Sequence, residues 1–219
     1  MEIKTKALCV TATDYGEKDR LLVLVTPEYG KIVARIRSVR TPNSKLKVCA
    51  SPLCFGEYIL NSKAGHYTVI GVSPENNFFG CWSDVDKNCA ARTVTEALDK
   101  FTENGVGAAE ELALALEALY HIDCGDGYPY VCAAAFLLKL MPCVGIDAEE
   151  YAALPRDVRA AFGALSGARF DELDSLELTL VSLIRALTHI GLIYQGRTGE
   201  RLLALASAIK LAGEADIDG

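Results

Sequence analysis

The sequence predicts an α+β fold, with a small closed β-barrel at the N-terminus and an all-α helical domain after it. Three observations carry that prediction. Residues 1–80 fall into short runs of β-formers separated by turn signals, the spacing that suits a small barrel. Beyond Pro74 the apolar period changes from two to about 3.6, the helical value. The charge balance also turns from basic to acidic there. With 51% hydrophobic and 23% charged residues, the 219-residue chain is globular in composition and long enough for two small domains.

In the barrel, Ile3–Thr13 and Leu21–Thr26 are rich in β-formers, and Gly30 follows a Pro-Glu-Tyr turn signal. Lys31–Arg37 alternates strictly. Lys31, Val33, Arg35 and Arg37 share one face and Ile32, Ala34 and Ile36 the other, so this strand buries one side and shows the other to water. A breaker-rich loop, Ser38–Lys47, holds Pro42, Asn43 and Ser44. Phe55–Leu60 and His66–Val72 are two more strands, joined at Asn61–Gly65. The first domain is residues 1–73 and the second residues 74–219.

In the second domain, Asp84–Phe101 carries Val85, Cys89, Val94, Leu98 and Phe101 at helical spacing, with Ser83 as the expected N-cap. Ala108–His121 repeats the pattern through Leu112, Leu116 and Leu119. Tyr128–Val144 is apolar nearly all round, which predicts a helix enclosed by its neighbours. Pro155 opens a short helix within the mixed stretch Asp147–Glu172. Leu173–Leu192 and Glu200–Leu211 complete the set.

The net charge of −7 hides an asymmetry. Residues 1–80 hold eleven bases against seven acids, and the remainder holds eleven bases against 22 acids. No acidic residue occurs between Lys31 and Gly56, while six bases do. Such a run is an electrostatic footprint for a polyanion.

Enzymatic signatures are absent: no phosphate-binding glycine loop, nucleophile elbow or His-Glu-x-x-His motif occurs. His66, His121 and His189 fall in separate elements, and Gly105-Val106-Gly107 reads as a connector between helices. No catalytic residue, cofactor or metal ligand is therefore expected. The eight cysteines form no Cys-x-x-Cys turn, so structural zinc is not expected and reduced, buried thiols are. Met1–Asp14 lacks a secretory leader's apolar core, and Val131–Ile146 is broken by Lys139 and Pro142 and is too short to span a bilayer. A cytoplasmic protein without a membrane partner is expected.

The chemistry lies in the basic strand and its loop. Lys31, Arg35 and Arg37 project from one strand face, and Arg40, Lys45 and Lys47 extend the patch, an arrangement suited to phosphates. In an OB-fold β-barrel, strands and loops of one face form the groove, with aromatics on which bases stack. Tyr15, Tyr29, Phe55, Tyr58 and Tyr67 are the available aromatics. The competing reading of the basic run is a soluble edge strand guarded by its lysines.

These residues resemble a family. Glu17-x-Asp19-Arg20-Leu21-Leu22, Thr26-x-Glu28-Tyr29-Gly30-Lys31-Ile32, and Arg40-Thr41-Pro42-Asn43-Ser44-Lys45 before Pro52-Leu53 are similar to the N-terminal barrel of the RecO proteins. Glu96-Ala97-Leu98, the Glu110–His121 helix and Phe136-Leu137-Leu138-Lys139-Leu140 ending at Gly145 resemble that family's helical domain. The resemblance implies a DNA repair and recombination mediator of the RecF pathway, not an enzyme. It would bind single- and double-stranded DNA and anneal complementary strands. It would also associate with RecR and contact the single-strand-binding protein tail so that RecA is loaded. Mapped from the family, the DNA-binding residues are Lys31, Arg35, Arg37, Arg40, Ser44 and Lys45; the basic-patch reading adds Lys47.

Three positions depart from the pattern. Ser38 stands where many members have glycine, and Ala134-Ala135 precede Phe136 where a basic residue is common. Cys143 is alone where many members carry a four-cysteine zinc module, so the module is expected to be absent. The alternative function is a protein-interaction adaptor that acts through its acidic helices and binds no DNA.

Overall fold

The computed structural model describes residues 1–44, 46–147, 151 and 153–215. Two compact units divide the chain, Met1–Phe78 with Leu98–Ala113, and Phe79–Ala97 with Leu114–Gly219.

The first unit is built on five strands, β1 (Glu2–Tyr15), β2 (Asp19–Thr26), β3 (Gly30–Ile36), β4 (Phe55–Lys63) and β5 (His66–Asn76). They close into a barrel in the order β1-β2-β3-β5-β4, with β3 and β5 parallel and every other pair antiparallel. Closure gives every strand two neighbours, with β3 and β5 meeting over Ala34–Ile36 and Tyr67–Val69. Alternation sends Leu22, Leu24, Ile32, Ala34, Ile36 and Tyr58 into the core. A register shift between Cys9 and Thr11 interrupts the alternation, so that Leu8, Cys9 and Val10 are all buried.

The segment after residue 101 belongs to this unit. Lys31 N–H donates to Glu103 O at 3.0 Å, Gly105 N–H to Tyr29 O at 3.0 Å, and Ala108 N–H to Pro27 O at 3.1 Å. Gly30 permits this approach. Its φ is +61°, and a Cβ there would lie 2.0 Å from Val106 O and 2.3 Å from Glu103 O. Gly105 and Gly107 thus lie in a connector closing on the β2–β3 turn, as their place between helices predicts.

The helices are α1 (Gly80–Ser83), α2 (Val85–Phe101), α3 (Ala109–Cys124), α4 (Pro129–Leu140), α5 (Arg156–Gly167), α6 (Leu180–Thr198) and α7 (Leu203–Ala215). In the second unit α4 packs on α5 and α6, and α6 on α7. Buried Tyr194 of α6 donates its hydroxyl to Leu137 O at 2.8 Å. Glu96 supplies the start of α7, accepting the N–H groups of Leu203 at 2.9 Å and Ala204 at 2.7 Å. It neutralises donors that a helix leaves unpaired at its N-terminus.

Several boundaries differ from the sequence reading. Asp84, not Ser83, caps α2: its Oδ1 accepts the Lys87 N–H at 2.9 Å, whereas Ser83 Oγ donates to Gly80 O at 2.8 Å. The helix expected over Tyr128–Val144 stops at Leu140, because Pro142 has no N–H for the ladder; a tight turn at Pro142–Val144 follows, closed by Gly145 at φ +73°. The helix expected over Leu173–Leu192 is two elements. A helical turn, Phe170–Ser175, ends at extended Leu176, and α6 begins only after Thr179, whose Oγ1 accepts the Ser182 N–H at 3.2 Å. A capping threonine outweighed the continuous leucine spacing. Pro155 does open a helix, α5.

Candidate nucleic-acid interface

Strand register assembles the candidate site. Tyr15 pairs with Asp19 across β1–β2, and Leu21 with Arg35 across β2–β3. Side chains two apart on a strand share a face, so Tyr15, Asp19, Leu21 and Arg35 all lie on the outside of the barrel. Arg35 crosses the diagonal to Asp19, donating Nε to Oδ2 at 2.7 Å and Nη2 to the same oxygen. Asp19 Oδ1 accepts the Ser38 N–H at 2.7 Å. The guanidinium carbon of Arg35 also lies over the Tyr15 ring, 5.1 Å from its centroid. The Ser38 N–H and the Arg35 guanidinium, with Arg37 nearby, hold the Asp19 carboxyl below the usual carboxylate range.

The basic run is acid-free in sequence but not in space. Besides Arg35, Arg40 reaches Asp14 at 3.1 Å and donates to Gly16 O at 3.0 Å. Asp14 also takes Arg20 at 2.9 Å. Lys31, with its side chain 22% exposed, donates to Asp99 O and approaches Asp99 Oδ1 at 3.4 Å, at the C-terminal end of α2. These acids come from β1, β2 and α2, where their distance in sequence hides them.

Of the remaining predicted residues, Arg37 and Lys47 are exposed and make no hydrogen bond or ion pair through their side chains among the described residues. Ser44 is half-buried, its N–H donating to Thr41 O at 3.2 Å. Lys45 lies outside the described residues. The structure therefore gathers Arg35 and Arg40 around the β1–β2 turn, with exposed Arg37 following Arg35, and ties Lys31 down at the opposite end of β3. Lys18 on that turn is exposed; it sits at the site without having been among the predicted contacts. An alternation count on β2 would have put Asp19 on the face of Arg35, but only the register reveals the pairing.

An open cavity of about 380 Å³ lies beside this group, lined by Tyr15, Gly16, Glu17, Lys18, Asp19 and Arg35. Among the described residues, no group of three or more histidine, cysteine or acidic side chains is placed to hold a metal ion.

Residues 1–78 match the family model described as Recombination protein O N terminal. The chain is similar to the DNA repair protein RecO of Desulfitobacterium hafniense, 36% identical over 139 residues, covering 64% of this chain and 50% of that one. It is also similar to the DNA repair protein RecO of Caldicellulosiruptor bescii, 28% identical over 143 residues, covering 65% and 58%. That of Bacillus pumilus is 30% identical over 125 residues, covering 57% and 49%. The chain thus spans about half the length of the curated relatives it matches. The barrel is matched along all its strands by that family model, and similarity to RecO proteins runs on past it.

Proposed function

We propose that this protein is a DNA repair and recombination mediator that binds DNA through the outer face of β2–β3 and the loop after it, and that it performs no catalysis. The observation that carries this reading is the exposure of Arg37 and Lys47, whose side chains make no hydrogen bond or ion pair among the described residues, together with Arg40, whose ion pair is half-exposed. An exposed ion pair contributes about 1 kcal/mol or less, so a phosphate can take Arg40 from Asp14 at little cost. The relatives' names as DNA repair proteins support the same role. Strand annealing, association with RecR, contact with the single-strand-binding protein tail and loading of RecA are the further activities the family suggests. No helix among the described residues is long and apolar enough to cross a membrane, in keeping with a cytoplasmic role.

A second reading has its own observation. Lys31, Arg35 and Arg40 are engaged by Asp99, Asp19 and Asp14, so the basic run also serves the barrel. An adaptor that acts through its helices would need nothing more of it. Fluorescence titration with single-stranded and duplex DNA at several salt concentrations separates the two. Three or four phosphate contacts on a single strand give a log–log slope of roughly −2 to −3. Absence of binding at low salt would leave the adaptor.

A further inference from the structure

We propose that the cavity beside the β1–β2 turn receives one unpaired nucleobase, stacked on the Tyr15 ring, and so makes the barrel face favour single strands over duplex; this rests on the DNA-binding reading above. Its lining contributes two acids, Glu17 and Asp19, and two bases, Lys18 and Arg35. The formal charge is zero, so a phosphate gains no net attraction there, while a neutral aromatic base meets no repulsion. The volume, about 380 Å³, lies at the low end for ligand cavities and suits a single base with its sugar.

The platform is already ordered. Tyr15 is 48% exposed, yet Arg35 lies over its ring. Asp19 holds Arg35, and the Ser38 N–H holds Asp19. A base stacking on this group orders little that is not ordered already, which favours binding. Arg37 lies two residues beyond Arg35, about 7 Å along an extended strand. A phosphate held there leaves the adjoining base within reach of the cavity. Duplex DNA keeps its bases paired and has none to offer, so it binds through phosphates alone.

The test titrates the full chain with a single-stranded oligonucleotide carrying 2-aminopurine and with a duplex of equal length. The wild type should change the 2-aminopurine emission of the single strand. Tyr15→Ala should weaken single-strand binding about tenfold, within the range for one stacked base, and leave duplex affinity and the salt slope unchanged. Tyr15→Phe and Tyr15→Trp should restore the affinity; Tyr15→Leu, which keeps bulk without a π face, should not. Equal weakening toward both DNAs, full single-strand affinity in Tyr15→Ala, or full affinity in Tyr15→Leu would overturn the receptor while leaving DNA binding in place. A wild type that binds neither DNA would remove both.

Discussion

Asp19 and Arg35 face each other on a diagonal of the outer barrel surface, with both Nε and Nη2 of the arginine on one carboxylate oxygen and the Ser38 N–H on the other. The pair connects three strands: Asp19 begins β2, Arg35 lies in β3, and the guanidinium covers Tyr15 at the end of β1. It also fixes the turn after β3, because Ser38 adopts φ +53°, a left-handed conformation that a non-glycine residue holds only with support.

That geometry gives the Asp19 contact a pH dependence. Its folded-state pKa is depressed below the ordinary 3.8, so the stability from the contact is present above about pH 4 and is lost as pH falls through the folded value. Asp19→Asn should lower the melting midpoint at pH 7. The gap between wild type and variant should shrink in melts below about pH 4. A gap constant from pH 7 to pH 3 would show that the carboxylate charge contributes nothing.

Salt dependence should distinguish the paired cations from the exposed ones. Arg37→Ala with Lys47→Ala should reduce the magnitude of the single-strand log–log slope by about 1.4, two contacts at ~0.7 each. Lys31→Ala should leave the slope unchanged and instead cost about 1 kcal/mol in a denaturant melt, since its ammonium is committed to Asp99.

Gly30→Ala should be among the most damaging single substitutions. The added methyl would meet Val106 O and Glu103 O at distances no real contact reaches, at a residue whose φ is already +61°. A loss on the order of 3 kcal/mol or more is expected in chemical denaturation, with amide exchange rising first around Lys31 and Gly105, whose N–H groups bond across this turn.

Thiol reactivity should follow burial. Cys124 and Cys143 are exposed, and Cys9, Cys49, Cys54, Cys81, Cys89 and Cys132 are buried. Burial pushes the Cys54 thiol up to about 11 and those of Cys81 and Cys132 up to about 12, far from the thiolate that alkylation requires. Mass spectrometry after native alkylation at pH 8 should find Cys124 and Cys143 modified, and the other six only after unfolding.

The sequence by itself determined the barrel-then-helices order, because alternation of period two and recurrence near 3.6 are local properties of the chain. Ile32, Ala34 and Ile36 are buried and Arg37 exposed as the alternation of β3 predicts, and Pro155 opens α5 as its fixed φ suggests. Helix ends were less legible, since Asp84 and Thr179 compete for caps with the apolar spacing around them. Only the tertiary structure decided the electrostatics of the candidate site. A run free of acids along the chain meets Asp14, Asp19 and Asp99 once β1, β2 and α2 are in place. Strand pairing sets which residues far apart in sequence lie side by side, and Coulomb interactions depend on that distance in space and not on separation along the chain.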